Sequence, residues 1–123
     1  MKKLLLTLFF IFFALPVYAL ELLMAHNPGC HYCELFMTEV YPTYNFTYKS
    51  SDKDKKDLPL IIISVYDQPE WFKEAYRENR IKPIRGTPTF IIWNGRIELA
   101  RLVGYGYPVR FYERLKSMFA LED

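Results

Sequence analysis

Residues 20–40 read LELLMAHNPGCHYCELFMTEV, and they predict a strand, a turn and a helix in succession. Residues 20–25 are mostly apolar, which is typical of a buried strand, and Asn-Pro-Gly at residues 27–29 is typical of a turn. Beyond the turn, apolar side chains recur at spacings of three and four, which predicts a helix that Pro42 ends or bends. The sequence therefore places Cys30 at a strand-to-helix junction, at the positive end of the helix. The predicted buried face of this helix consists of Cys33, Phe36, Met37 and Val40.

The tetrapeptide Cys30-His31-Tyr32-Cys33 contains both cysteines of the chain. A thiolate is the nucleophile in disulfide exchange, and a helix N-terminus stabilises negative charge, so Cys30 is the predicted nucleophile. Cys33 would then displace the partner from the mixed disulfide. A bridge across so short a loop contributes little loop-closure entropy, which argues against a purely structural disulfide. The Cys30–Cys33 disulfide is the redox group that this chemistry needs, and no other cofactor is expected.

Residues 1–19 have the pattern of a secretory signal peptide. A basic start precedes an uncharged run of Leu, Phe and Ile at residues 4–15, Pro16 breaks this run, and small or modest residues follow. The run is short for a membrane span of about 20 residues, so cleavage after Ala19 is favoured over a retained membrane anchor. Residues 20–123 would then be the mature protein, exported to a compartment where disulfides persist.

The mature region has no net charge. Removing Lys2 and Lys3 from the 16 basic residues leaves as many as the 14 acidic ones. Nucleic-acid binding needs a basic surface, so this class of partner is excluded. The length suits one domain with one hydrophobic core, and a monomer is expected.

The middle of the chain predicts a strand and a helix. Residues 50–57 are a polar block that is read as a solvated loop, and the apolar run at residues 60–65 predicts a central strand covered on both faces. Asp67 with Glu70 is a helix-start signal, and Pro69 is tolerated in a first turn. The predicted buried face of this helix consists of Trp71, Phe72, Ala75 and Tyr76.

The last third predicts a hairpin and a closing helix. Residues 89–93 form a strand, Asn94-Gly95 is a strong hairpin signal, and residues 96–103 return as the partner strand. The apolar side of that strand switches part-way along, so a bulge is expected. The element order is β-α-β-α-β-β-α, an α/β fold with a mixed four-stranded sheet flanked by helices. The predicted buried residues of the closing helix are Phe111, Leu115, Met118 and Phe119.

The chain resembles the thioredoxin superfamily over the whole mature region, and within it the small periplasmic SoxS-type thioredoxins. The resemblance implies a thioredoxin fold and thiol–disulfide oxidoreductase activity. The segments that carry it are Cys30-His31-Tyr32-Cys33 after a strand, Arg85-Gly86-Thr87-Pro88-Thr89-Phe90, the Asn94-Gly95 hairpin, and Val103-Gly104 before the last helix.

The resemblance also implies roles for residues near the cysteines. Pro88 would be cis and lie beside the dithiol, where the adjoining backbone pairs with a client chain as an added strand would. Thr87 would contact the dithiol and tune its potential. The combination of Tyr32 with Thr87 resembles periplasmic isomerases and reductases more than strong oxidases.

Two positions depart from the usual thioredoxin pattern. Met24 stands where thioredoxins carry a buried acid that handles the proton of the second cysteine, so this role is either empty or taken by water or by Glu34. Glu34 is also read more simply as a first-turn acid favoured by the helix dipole. His31 is uncommon between the cysteines, and in protonated form it would favour the Cys30 thiolate. His26 is expected at the rim of the site, either bonded to backbone or transferring protons.

The sequence thus predicts a periplasmic reductase of client protein disulfides, with a membrane thiol carrier returning its electrons. One alternative is a disulfide donor, which His31 would favour. The other is a copper or zinc carrier, because the chain offers thiol and imidazole ligands at Cys30, Cys33, His26 and His31. Tyr105 and Tyr107 are a possible partner surface.

Overall fold

The structure is a computed structural model that describes residues 19–50 and 53–120. The predicted signal peptide, apart from Ala19, lies outside the described residues. The elements follow in the order β1 (Glu21–His26), α1 (His31–Glu39), a 3₁₀ turn (Tyr41–Thr43), β2 (Thr47–Lys49), β3 (Lys55–Asp57), β4 (Leu60–Ser64), α2 (Glu70–Arg77), β5 (Thr89–Trp93), β6 (Glu98–Val103) and α3 (Pro108–Ala120).

Four strands form one mixed sheet in the order β4-β1-β5-β6. β1 pairs with β4 in parallel and with β5 in antiparallel orientation, and β6 pairs antiparallel with β5. The parallel pair requires the crossover that α1 helps to provide, whereas the last two strands are joined by a hairpin. The mixed α/β fold and the predicted order of the four sheet strands and three helices along the chain are confirmed, whereas the short β2–β3 pair between α1 and β4 was not predicted.

β1 and β5 are the central strands, and β4 is an edge strand. The prediction that residues 60–65 form a central strand was therefore wrong in position. The apolar run has another cause, because Leu60 and Ile62 pack into one core cluster while Ile61 and Ile63 belong to the other. An edge strand covered on both faces has the same sequence pattern as a central one.

The sheet has a core cluster on each face. One cluster contains buried residues of α1 and α3, and the other contains buried residues of α2. Phe36 lies in the middle of the first cluster, with ring centroids 4.8 Å from Phe90 and 5.0 Å from Phe111. The helix that begins at the cysteine motif is thus held to the sheet and to the closing helix by one aromatic side chain.

Helix α2 buries a narrower face than predicted. Phe72 and Ala75 are buried, but Trp71 is 39% exposed and Tyr76 is 47% exposed. An eight-residue helix presents few side chains to the sheet, so Trp71 stays at the margin, with its ring centroid 5.8 Å from that of Trp93. The start signal at Asp67 was also misplaced, because Pro69 occupies the N-cap position without a side-chain cap bond.

The end of the polar block, residues 55–57, forms the short strand β3 instead of a loop. β2 and β3 pair antiparallel, with Tyr48 opposite Lys56. Tyr48 is buried and its ring stacks on Phe119 at 5.1 Å, which attaches the hairpin to the closing helix. The charged side chains on both faces of β3 conceal the usual strand alternation, which is why the sequence did not indicate it.

The β5–β6 hairpin has the expected turn and bulge. Asn94 Oδ1 accepts hydrogen bonds from the N–H groups of Arg96 and Ile97, and Gly95 adopts a φ of 89°. Trp93 pairs with Glu98 whereas Ile92 pairs with Ala100, so the residue between them has no partner on β5. This is the bulge that the sequence predicted.

Phe36→Ala is expected to lower the free energy of unfolding by about 3–5 kcal/mol, because it leaves a cavity at the centre of the aromatic cluster. The matched control is Val109→Ala on α3, where the side chain is exposed and a change within about 0.5 kcal/mol is expected. Urea unfolding followed by circular dichroism measures both values. Equal losses in the two variants would contradict the assigned packing.

Candidate active site

The cysteine motif begins where β1 ends and α1 starts. The N–H of Cys30 donates to the carbonyl of Asn27 at 2.9 Å, and the N–H of Gly29 donates to Asn27 Oδ1 at 3.1 Å, which closes the turn. Cys30 is the N-cap residue of α1, and its Sγ accepts a hydrogen bond from the N–H of Cys33 at 3.2 Å. The sulfur thus occupies the position that a Ser or Asp oxygen takes in an ordinary N-cap.

The Cys30 thiol is poised to ionise. Partial burial by itself would raise its pKa, but hydrogen bonds from the side chains of Cys33 and Thr87 and from the N–H groups of Cys33 and Tyr32 together outweigh burial and lower the pKa. The donors at the first turn of a helix favour the charged form of a group placed there. Cys30 is also partly accessible, as a nucleophile needs to be.

Cys33 has the opposite properties. Its side chain is fully buried, and burial raises the pKa of its thiol to about 11, with the hydrogen bond to Cys30 acting in the same direction. The two thiols of one tetrapeptide therefore differ in both access and acidity. Such a pair suits two different roles. The accessible Cys30 attacks an external disulfide, and the buried Cys33 attacks only the mixed disulfide that forms at Cys30.

Thr87 and Pro88 lie against the dithiol. The Cys30 thiol donates to the carbonyl of Thr87 at 3.3 Å, and the Thr87–Pro88 peptide bond is cis. The Thr89 hydroxyl donates to the carbonyl of Gly86 at 2.6 Å, and the N–H of Gly104 donates to the carbonyl of Pro88 at 2.8 Å. The structure thus brings the two predicted segments together across 57 positions of sequence.

His26 and Glu34 are neighbours at the rim. His26 Nε2 lies 3.9 Å from Glu34 Oε1, and the His26 side chain is mostly buried while that of Glu34 is exposed. Glu34 is in the first turn of α1, as a helix-dipole acid would be. Met24 is fully buried in the core cluster that contains Cys33, so an apolar thioether occupies the position considered for an acid.

His31 and Tyr32 are on the exposed side of the motif. Their rings meet edge to face with centroids 5.3 Å apart, and Tyr32 is 53% exposed. These two side chains therefore border the approach to Cys30. Tyr107 is also exposed, but Tyr105 is only 6% exposed and its hydroxyl donates to Glu39 Oε1 at 2.8 Å. The expectation that Tyr105 belongs to a partner surface was wrong, because its ring packs edge to face against Phe36.

A cleft of about 400 Å³ borders Thr87 and was not found from the sequence. Arg85, Gln68 and Tyr76 are among its lining residues. Arg85 is part of the segment 85–90 that carries the resemblance. The sequence did not indicate a role for it, because its neighbours in the cleft come from α2 and from the turn after β1. The tertiary contacts alone reveal this cleft.

Two further structural findings concern the described part of the chain. No three side chains of His, Cys, Asp or Glu gather in a metal-binding group among residues 19–50 and 53–120. Over the same ranges, every helix is too short or too polar to cross a bilayer.

The comparisons with known proteins agree with this geometry. The fold is similar to that of the reduced periplasmic thioredoxin SoxS from Paracoccus pantotrophus, with a TM-score of 0.60 and 26% identity, covering 85% of this chain and 100% of that one. The chain belongs to the thioredoxin superfamily. A thioredoxin from Thermus thermophilus shares the fold, with a TM-score of 0.50 and 22% identity over 80% of this chain and 72% of that one. No family model and no curated protein matches by sequence.

The similarity to the SoxS thioredoxin supports a family of thiol–disulfide oxidoreductases. The arrangement in this thioredoxin-like chain fits that chemistry, because an accessible sulfur with a lowered pKa stands above a buried thiol with a raised one.

At neutral pH, iodoacetamide is expected to modify Cys30 faster than Cys33. Only the thiolate reacts, and the thiolate fraction rises as the pH passes through the pKa. Because the Cys30 pKa is lowered and that of Cys33 is raised to about 11, the Cys30 rate should level off at a lower pH. Mass spectrometry of the reduced chain over a pH series measures both rates. Identical profiles for the two cysteines would contradict the assigned roles.

Proposed function

We propose that this chain reduces disulfide bonds of client proteins in the periplasm by dithiol exchange at Cys30 and Cys33. The observation that carries the proposal is the asymmetry of the two thiols at the N-terminus of α1. A structural disulfide does not require one accessible sulfur and one buried sulfur with opposite pKa shifts.

The reaction proceeds in two displacements. The Cys30 thiolate attacks one sulfur of the client disulfide, so a Cys30–client bond forms and the first client thiolate leaves. Cys33 then loses its proton and attacks Cys30 Sγ, which forms the Cys30–Cys33 disulfide and releases the second client thiolate. The client gains two electrons, the dithiol loses two, and the Cys33 proton and one solvent proton complete the client thiols.

The segment around Pro88 is the proposed client contact. The Thr87 carbonyl lies 3.3 Å from the Cys30 sulfur, so a client strand laid along this backbone would bring its disulfide to the nucleophile. Val103 is exposed and lies beside Gly86, which adds an apolar contact next to this strip. The exposed rings of His31 and Tyr32 border the other side.

The proposed location follows from the first 19 residues and from the relative. The signal-peptide pattern predicts export, and the similar SoxS thioredoxin is a periplasmic protein. In an oxidising compartment the pair would remain a disulfide unless it received electrons. A membrane thiol carrier is therefore the proposed electron donor.

Cys33→Ser is expected to accumulate mixed disulfides between Cys30 and its clients, because the second displacement cannot occur. Periplasmic extracts separated by non-reducing electrophoresis and mass spectrometry would identify the trapped partners. The matched control is Cys30→Ser, which keeps the buried Cys33 and should trap none. If the Cys33→Ser chain collects no more adducts than this control, client exchange is not its function.

A disulfide donor is the second candidate, and the exposed His31 beside Cys30 is the observation that favours it. The oxidised chain would then transfer its disulfide to a reduced, unfolded protein within seconds, and His31→Ala would slow the transfer. Stopped-flow measurement with His31→Ala and the control Tyr41→Ala would test this. Slow transfer by the unaltered chain excludes the donor role.

The third candidate is a copper or zinc carrier that uses the same cysteines. Anaerobic titration with Cu(I) or Zn²⁺, monitored with a competing chromophoric chelator, would detect it. Tight binding that is lost in Cys30→Ser would support the carrier, whereas weak binding unaffected by that change would exclude it.

A further inference from the structure

The segment between α2 and β5 leads directly to Thr87 and Pro88. Residues 78–88 contain neither helix nor strand, and Asn79 has a φ of 60°, a conformation uncommon outside glycine. A segment without regular structure has no internal ladder of hydrogen bonds, so other groups must fix its position. The position of the Thr87 carbonyl relative to the Cys30 sulfur therefore depends on the groups that bind this segment to the rest of the fold.

An ion pair on β6 is unusually well buried for its type. Arg101 Nε lies 2.6 Å from Glu98 Oε2, and Arg101 Nη2 donates to Glu98 Oε1 at 2.7 Å. The side chain of Glu98 is 4% exposed and that of Arg101 is 20% exposed. Two parallel bonds between a guanidinium and a carboxylate give this pair a fixed geometry.

The bulge in β6 makes the pair possible. Residues three apart on a regular strand face opposite sides of the sheet. In β6, one extra residue lies between Glu98, which pairs with Trp93, and Ala100, which pairs with Ile92. It shifts the alternation of side chains between the two faces of the sheet by one position, so Glu98 and Arg101 lie on the same face.

The pair attaches the irregular segment to the sheet. Arg101 Nη1 donates to the carbonyl of Pro83 and Nη2 to that of Lys82, both at 2.9 Å. Glu98 accepts from the N–H of Lys82 at 3.1 Å through Oε1, and its own N–H donates to the carbonyl of Arg80 at 2.9 Å. Both members of the ion pair therefore bind the backbone of residues 80–83.

The remainder of β6 continues this contact to the active site. A Cβ placed on Gly86 would lie 3.8 Å from Val103 Cγ1, and the N–H of Gly104 donates to the carbonyl of Pro88. The segment thus runs beside β6 from Arg80 to Pro88, with the ion pair holding the half farther from Cys30.

We propose that Glu98 and Arg101 are positioning residues that fix the Thr87–Pro88 segment against Cys30 for disulfide exchange. The proposal rests on the proposed function, because it concerns how that site meets its client. Neither side chain contacts the sulfur atoms, and both act through the backbone of residues 82–83. A rigid guanidinium fork with four bonds sets a position more narrowly than a single ammonium group does.

Arg101→Lys and Glu98→Gln test the proposal. Lysine keeps the charge but cannot hold Glu98 and both carbonyls at once, and glutamine loses the charge but keeps an acceptor for the N–H of Lys82. With a disulfide-containing peptide as substrate, KM should rise roughly tenfold while kcat changes less, since client alignment is impaired. The midpoint of the Cys30 alkylation profile should move to higher pH, because the Thr87 side chain, whose hydrogen bond helps to lower the Cys30 pKa, is held less closely to the sulfur.

Matched controls separate positioning from general destabilisation. Arg77→Lys and Glu70→Gln make the same substitutions in an exposed ion pair on α2, 3.6 Å apart, and should leave KM and the pH profile unchanged. Met118→Ala weakens the core in α3, and it should lower the stability without moving the Cys30 profile.

Each outcome decides between the proposals. A higher KM and a shifted profile in folded Arg101→Lys or Glu98→Gln support the positioning role. An unchanged KM and profile with only a lower melting temperature, or failure of both variants to fold, would make the pair structural and overturn it. If the unaltered chain itself turns over no disulfide substrate, the proposed function fails, and the alkylation profile still reports on the positioning role.

Discussion

The hydrogen bond from the Cys33 N–H to the Cys30 sulfur, 3.2 Å long, is the interaction on which the rest of the site depends. It exists because the chain turns at residues 27–29 and starts a helix with a cysteine in the N-cap position. A sulfur placed there meets the donors that a helix cannot satisfy internally. This lowers the pKa of one thiol, while the first turn of the same helix places the other thiol, that of Cys33, in the core, where burial raises its pKa.

The two halves of the site are held by different means. The cysteine side is fixed by apolar packing, since β1 is buried along its middle and Phe36 joins α1 to β5 and α3. The Thr87 side is irregular backbone, which polar contacts along β6 fix in addition to the apolar packing of Ile81 and Ile84. A helix is positioned by burying one apolar stripe, because its backbone groups bond to each other. A segment without secondary structure needs a separate hydrogen-bond partner for each of its buried N–H and C=O groups.

The sequence predicted the features that depend on local chemistry. The strand, turn and helix around Cys30 follow from composition and spacing within 20 residues, and the Asn94-Gly95 hairpin follows from its turn residues. Strand order was predicted less well, because the apolar run at residues 60–65 indicates that both faces are covered but not where the sheet ends. The ion pair of Glu98 with Arg101 was missed because it depends on a bulge and on contacts with residues 80–83. The burial of Tyr105 could not be predicted either, because it depends on contact with α1, which is far away in sequence.

The reduction potential of the Cys30–Cys33 pair is the property that separates a reductase from a disulfide donor. Equilibration of the chain with dithiothreitol or glutathione buffers of known ratio, followed by alkylation of free thiols and mass spectrometry, measures it. A reductase should have a two-electron potential below about −200 mV, in the range of reducing members of the superfamily. A value near −120 mV, as strong oxidants have, would contradict the reductase role.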